Sequence, residues 1–135
     1  MKIAISSTGS NKDSLVDNRF GRCPQFLIFS EDGKLEKVIS NPAVNASRGA
    51  GVQAAQTLAD AGVKVVITGN VGPTAFTMLN KSNFEIFQTT NKVKVEEAFN
   101  KWKAGQLSKI TTPQRGSGSG VGRRQGRRNR NRNFN

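Results

Sequence analysis

The 135-residue chain has no histidine, no tyrosine, one cysteine and one tryptophan, and sets only nine acidic residues against 21 basic ones. Without histidine and with one thiol, a tetrahedral Cys/His zinc site cannot be assembled within one chain, and His-dependent catalytic triads are excluded. The lone Cys23 can form no internal disulfide, so nothing points to an oxidising compartment. No segment approaches the roughly 20 apolar residues that span a bilayer. The start Met1-Lys-Ile-Ala-Ile-Ser-Ser-Thr8 lacks the apolar stretch of a secretory signal. These absences predict a soluble, cytoplasmic protein with no membrane partner, and the length suits a single domain.

The charge is unevenly distributed along the chain. Residues 111–135 carry Arg115, Arg123, Arg124, Arg127, Arg128, Arg130 and Arg132 and no acidic residue, so this end holds +7 of the net +12. It is rich in Gly and Ser and offers only Val121 and Phe134 for burial. Two such side chains cannot offset an ordering cost of about 1–2 kcal/mol per residue, so the sequence predicts a disordered basic tail over 111–135. The folded part is expected over 1–110, with Pro113 marking the exit.

Within 1–110 strand and helix periodicities alternate. Lys2–Ser6 and the continuous apolar run Gln25–Phe29 read as strands, and Asp32-Gly33 signals a tight hairpin returning through Leu35–Ser40. Gly51–Ala61 repeats apolar residues at helical spacing and stops at Gly62, while Val63–Thr68 reads as a buried strand. Pro73 is placed to open a helix through Leu79, Phe84–Gln88 is a further apolar run, and Val95, Phe99 and Trp102 mark one face of a last helix ending before Gly105. Alternating strands and helices imply parallel strands joined by right-handed crossovers. The residues thus predict a three-layer α/β domain with an antiparallel hairpin on a mixed sheet.

Three irregular segments are candidate sites. The connection from Ser7 to Pro24 exceeds the usual length of a structureless loop and contains Arg19, Phe20, Gly21, Arg22 and Cys23. A thiolate is a soft-metal ligand, and Arg19 and Arg22 would favour the charged form of Cys23. The same residues also read structurally, with Phe20 plugging the sheet end, the arginines solvated and Cys23 a small packed residue. The second segment, Gly69-Asn70-Val71-Gly72, precedes Pro73 and offers either anion-binding backbone N–H groups at a helix start or an ordinary tight turn. It lacks the Lys-Ser/Thr of a phosphate-binding P-loop and the third glycine of a dinucleotide fingerprint. The third, Asn45 to Gly51, places Gly49 and Gly51 at another helix start, with Ser47 as a possible N-cap. In α/β sheets such loops can crowd one rim, which would suit an anionic, sulfur-rich ligand.

These motifs resemble an established family. Met1-Lys-Ile-Ala-Ile-Ser-Ser7, Asp17-x-Arg-Phe-Gly-Arg-Cys-Pro-x-Phe26, Asn41-Pro42, Gly49-Ala-Gly-Val-Gln-Ala-Ala55, Gly69-x-x-Gly-Pro-x-Ala75 and Val95-Glu-Glu97 look like the dinitrogenase iron–molybdenum cofactor biosynthesis family, the domain of NifX and of the NifB C-terminus. The similarity spans about residues 1–107. It implies a ribonuclease-H-like three-layer α/β fold, with a five-stranded mixed sheet, helices on both faces and the hairpin's second strand at one edge. It also implies binding or carrying an iron–molybdenum or other metal–sulfur cluster, or its precursor, without catalysis. Nitrogenase-associated members often carry histidine where Arg19 stands, so Cys23 is the one metal-ligand candidate left in this chain.

Three function classes follow. The first is a non-catalytic carrier, exchanging an anionic metal–sulfur cluster with donor and acceptor proteins, with Arg19, Arg22, Cys23, Gly49, Gly51, Gly69, Asn70 and Gly72 as candidate contacts. The second is a polyanion or nucleic-acid binder acting through the arginine tail, which could equally serve solubility or attach acidic proteins. The third is an enzyme. Asp13, Asp17, Glu31 and Asp32 are the nearest carboxylates for a metal-dependent reaction, but they follow turn logic and form no motif, so no catalysis is expected.

Overall fold

The computed structural model describes residues 1–44, 49–90 and 92–111. The expected disorder of 111–135 concerns, beyond Thr111, residues outside that set, as does Ser47. In chain order the elements are β1 (Lys2–Ser7), β2 (Gln25–Ser30), β3 (Leu35–Ser40), α1 (Ala50–Asp60), β4 (Val63–Thr68), α2 (Pro73–Lys81), β5 (Glu85–Gln88), α3 (Val95–Lys103) and β6 (Ser108–Lys109). One sheet runs β3-β2-β1-β4-β5-β6. Strand β4 pairs in parallel with β1 and β5, while the β1–β2, β2–β3 and β5–β6 pairs are antiparallel.

Among the described residues the sheet has six strands rather than the expected five. The extra one is a two-residue edge strand pairing Lys109 with Phe87 and Ser108 with Gln88. Its exposed Ser-Lys pair carries no apolar alternation, so nothing in that stretch announced a strand. The hairpin's second strand, β3, lies at the opposite edge as expected.

Each sheet face has its own core. Alternation along β1 sends Ala4 to one side and Ile3 and Ile5 to the other. On the first face Ala54, Ala55 and Leu58 of α1 and Ala75, Phe76 and Leu79 of α2 cover Phe26, Ile28, Val66 and Ile86. On the second, Val95, Ala98 and Phe99 of α3 cover Leu27, Phe29, Val65 and Ile67. Helices on both faces give the three layers of the predicted fold. Gly62 follows α1 in the left-handed region, at φ 79°, and Pro73 opens α2, both as the sequence signals require. Helix α1 starts at Ala50 behind Gly49, which takes the cap position with φ 73° in place of the expected Ser47. At the far end Ile110 is buried, and its N–H donates to Ile86 O at 2.7 Å.

The long connection between β1 and β2 is ordered. Thr8 N donates to Leu15 O (3.0 Å), Val16 N to Val93 O (2.9 Å) and Asp17 N to Ser6 O (2.9 Å), so the segment folds back beside the end of β1. Buried Val16 joins the α3-side core and fixes that return.

Candidate functional site

Strands β1 and β4 end side by side, and the chain leaving Val16 runs across their ends. Buried Ser6 ties the two with one hydroxyl: it donates to Asp17 O at 2.7 Å and lies 2.8 Å from Thr68 Oγ1. Beyond Asp17 the backbone docks on the β4–α2 connection, with Asn70 N donating to Asn18 O (2.8 Å) and Phe20 N to Asn70 O (3.3 Å). Gly69 is required at this crossing, because a Cβ there would lie 2.9 Å from Asn18 Cα. Phe20 then turns inward, 2 % exposed and with its ring 5.5 Å from that of Phe26.

The next step of the chain builds a cleft. Gly21 crosses the start of α1 so closely that a Cβ on it would sit 2.8 Å from Gly51 N, and a Cβ on Gly51 would sit 2.7 Å from Ala75 Cβ. Three segments, Phe20–Arg22, Gly49–Val52 and Gly72–Ala75, thereby converge around a cleft of about 390 Å3. Two of them are helix starts, and neither α1 nor α2 has a side-chain cap on its first turn. A helix N-terminus carries about half a positive charge on its first N–H groups, so two of them with Arg22 make the cleft a positive, donor-rich pocket. Among the described residues, Arg22 is its one ionisable lining residue and Thr74 its one hydroxyl.

The sequence candidates divide accordingly. Arg22, Gly49, Gly51 and Gly72 line the cleft, whereas Gly69 and Asn70 act one layer behind it, as the surface on which the Asp17–Phe20 segment docks. Arg19 pairs with Asp17, its Nε donating to Oδ1 at 3.1 Å and its Nη2 to Oδ2 at 2.9 Å, while Asp17 Oδ1 also accepts the Arg19 backbone N–H at 2.9 Å. The carboxylate is buried and the guanidinium largely exposed, and the pair raises the arginine further above its ordinary value. Arg115, Arg123, Arg124, Arg127, Arg128, Arg130 and Arg132 lie outside the described residues.

Cys23 corrects an expectation. Its thiol is fully buried in the core under α1 and α2, 3.5 Å from Phe20 O, and does not line the cleft. Burial, reinforced by the negative charge of Asp17, pushes it up to about 12. The field of Arg19 does act in the expected direction, but burial and the negative charge of Asp17 both outweigh it. Among the described residues no three of Cys, Asp and Glu come together as a metal-binding group. The donor set therefore does not fit direct coordination of a metal ion, and it does fit an anion that brings its own ligands.

Sequence reasoning missed Asn41 as a working residue. Its side-chain amide donates to Gly21 O (3.1 Å) and Cys23 O (2.9 Å) and accepts the Ala43 N–H (3.0 Å), tying the cleft lip to the chain that leads to α1. Its place before Pro42 was the available signal.

Residues 1–105 match the model of the dinitrogenase iron–molybdenum cofactor family. The chain belongs to that family. An uncharacterised protein of Methanocaldococcus jannaschii is 29 % identical over 113 residues, covering 82 % of this chain and 92 % of the relative. Among solved structures, the apo form of the orange protein from Desulfovibrio gigas is 34 % identical with a TM-score of 0.81, covering 84 % of this chain and 96 % of the other. A candidate NifB protein from Thermotoga is 31 % identical with a TM-score of 0.74, covering 84 % and 97 %. The family and the fold expected from the motifs are thus both in hand. Among the described residues, no helix is long and apolar enough to cross a membrane.

Proposed function

We propose that this protein is a non-catalytic carrier that holds an anionic metal–sulfur cluster, or its precursor, in the cleft between Arg22 and the starts of α1 and α2. One observation carries the reading: two helix N-termini without side-chain caps and an arginine converge on one cleft of about 390 Å3. That space takes about a dozen water-sized groups, enough for a small cluster with its own sulfides. Membership of the iron–molybdenum cofactor family and likeness to a protein solved as an apo form support a ligand of this class. The lining supports carriage rather than catalysis, since among the described residues it holds no carboxylate or thiol and an arginine does not serve as a general base.

Holding without coordination has an energetic consequence. Two helix termini and one charge-assisted contact supply about 4–6 kcal/mol together. Association itself costs translational and rotational freedom, so the net hold is weaker than that sum and the cargo exchanges readily. On this reading the protein works in the cytoplasm, between a protein that supplies the cluster and one that accepts it. A second reading, polyanion or nucleic-acid binding by the tail, rests on the seven arginines of 111–135 with no acid among them.

The test is anaerobic titration with tetrathiomolybdate, followed by visible absorption and by molybdenum and acid-labile sulfide content. Saturable one-to-one uptake is expected. Arg22→Ala should weaken it about tenfold, the loss of one charge-assisted contact, and Cys23→Ser should leave it unchanged. No uptake, or loss on Cys23→Ser alone, overturns the reading.

A further inference from the structure

Asn41 spends its amide in an unusual place. The residue is 3 % exposed and directly follows β3, before Pro42, which favours an extended backbone at the position ahead of it. Its own N–H donates to Pro24 O at 2.9 Å, and its Nδ2 holds the carbonyls of Gly21 and Cys23. Those two carbonyls belong to the residues on either side of Arg22. Oδ1 meanwhile fixes Ala43 N, in the segment that continues toward Gly49. One side chain therefore clamps the backbone before and after the cleft's charged residue, and references it to the chain that enters α1.

We infer that Asn41 is the positioning residue of the anion site: it sets the direction in which Arg22 enters the cleft and so tunes anion affinity without touching the ligand. The inference rests on the cleft being the anion site proposed above. A clamp of two hydrogen bonds is needed there because Gly21, immediately before Arg22, adds no side chain of its own to hold the lip. Behind metal ligands, residues that orient the contacting group typically control affinity by about tenfold or more, and Asn41 orients Arg22 in the same sense.

A purely structural asparagine would cost stability, and cost binding equally whether or not Arg22 is present. A positioning residue acts through Arg22. The experiment is a double-mutant cycle on the full-length protein, read both as tetrathiomolybdate affinity and as stability to urea. Asn41→Ala should weaken binding about tenfold in the wild-type background and less than about twofold in Arg22→Ala, while the stability loss is the same in both. If Asn41→Ala does not fold, Asn41→Asp takes its place, with the same shape and an acceptor for Ala43 N–H but at least one of the two donors missing. Equal weakening in both backgrounds, or none in either, overturns the positioning role while leaving the anion site standing. Absence of uptake by the wild-type protein removes the anion site and this inference with it.

Discussion

The tightest point of the molecule gives the sharpest prediction. Gly51 lies in the first turn of α1 facing Ala75 in the first turn of α2, and a methyl group added to it would come within 2.7 Å of Ala75 Cβ. Both are Cβ atoms bonded directly to helix backbone, so no flexible side chain can yield, and the two helix starts must separate. Overpacking of this kind costs about 1–3 kcal/mol, against which alanine's better helix propensity returns at most about 1 kcal/mol. Gly51→Ala should therefore destabilise by about 1 kcal/mol in net terms, although the bare propensity scale predicts a gain.

Urea unfolding can be followed through Trp102, which packs against Phe99 and Phe87 at centroid distances of 5.6 and 6.4 Å. With a slope of about 1–2 kcal/mol/M, the midpoint should fall by about 0.5–1 M. The cause is isolated by adding Ala75→Gly, which removes the opposing methyl. On its own Ala75→Gly should cost about 1 kcal/mol, and in the Gly51→Ala background it should be nearly neutral or stabilising. A Gly51→Ala protein as stable as the wild type, or an Ala75→Gly cost identical in both backgrounds, would refute the close approach. Because the same contact sets the spacing of the two helix starts, tetrathiomolybdate affinity should fall with stability in the single variant and recover in the double.

Three further outcomes are expected. The folded-state value of Cys23 is raised from 9.0 to about 12, so its stabilising contribution is intact below about pH 9 and is lost as pH climbs toward 12. Between about pH 7 and about pH 10 the wild type should lose about 1.4 kcal/mol relative to Cys23→Ala, and parallel stability curves would show the thiol is not desolvated. Phe20→Ala should cost about 3–5 kcal/mol, since the ring is 2 % exposed and packed on Phe26; a loss below about 1 kcal/mol in urea unfolding would mean that it does not plug the sheet end. Truncation after Thr111 should abolish any retention on duplex DNA, together with its salt slope of about 0.9 per phosphate contact, and binding that survives would place the polyanion site on the folded part.

Much of the fold was legible because its signals are local. Asp32-Gly33 made the hairpin, Gly62 ended α1 and Pro73 opened α2, each through a backbone preference acting over a few residues. What escaped had no local cause. Strand β6 exists because β5 offers an open edge to Ser108 and Lys109. The charge state of Cys23 depends on where the thiol is buried, so two neighbouring arginines in sequence pointed in the wrong direction. Of the candidate contacts, those whose glycine or charge faces the meeting of two helix starts came together, while Gly69 and Asn70 serve the layer behind.

That pattern follows from how the site is made. A ligand held by coordination leaves histidines, cysteines or carboxylates at recognisable spacings, and this chain has no histidine, one cysteine and, among the described residues, no cluster of carboxylates. A ligand held by main-chain N–H groups needs only that the backbone come close, and its trace in the sequence is small residues where segments cross: Gly21 over Gly51, Gly51 over Ala75, Gly69 under Asn18. Each crossing fixes the next, so the position of Arg22 is the end of a chain of contacts that starts at Ser6 and Thr68 in the sheet. If the protein carries a cluster as proposed, the absence of histidine is no defect. On the proposed reading, binding through dipoles and one guanidinium would give up the strength of a metal–ligand bond and keep the cargo free to leave without any bond to the protein being broken.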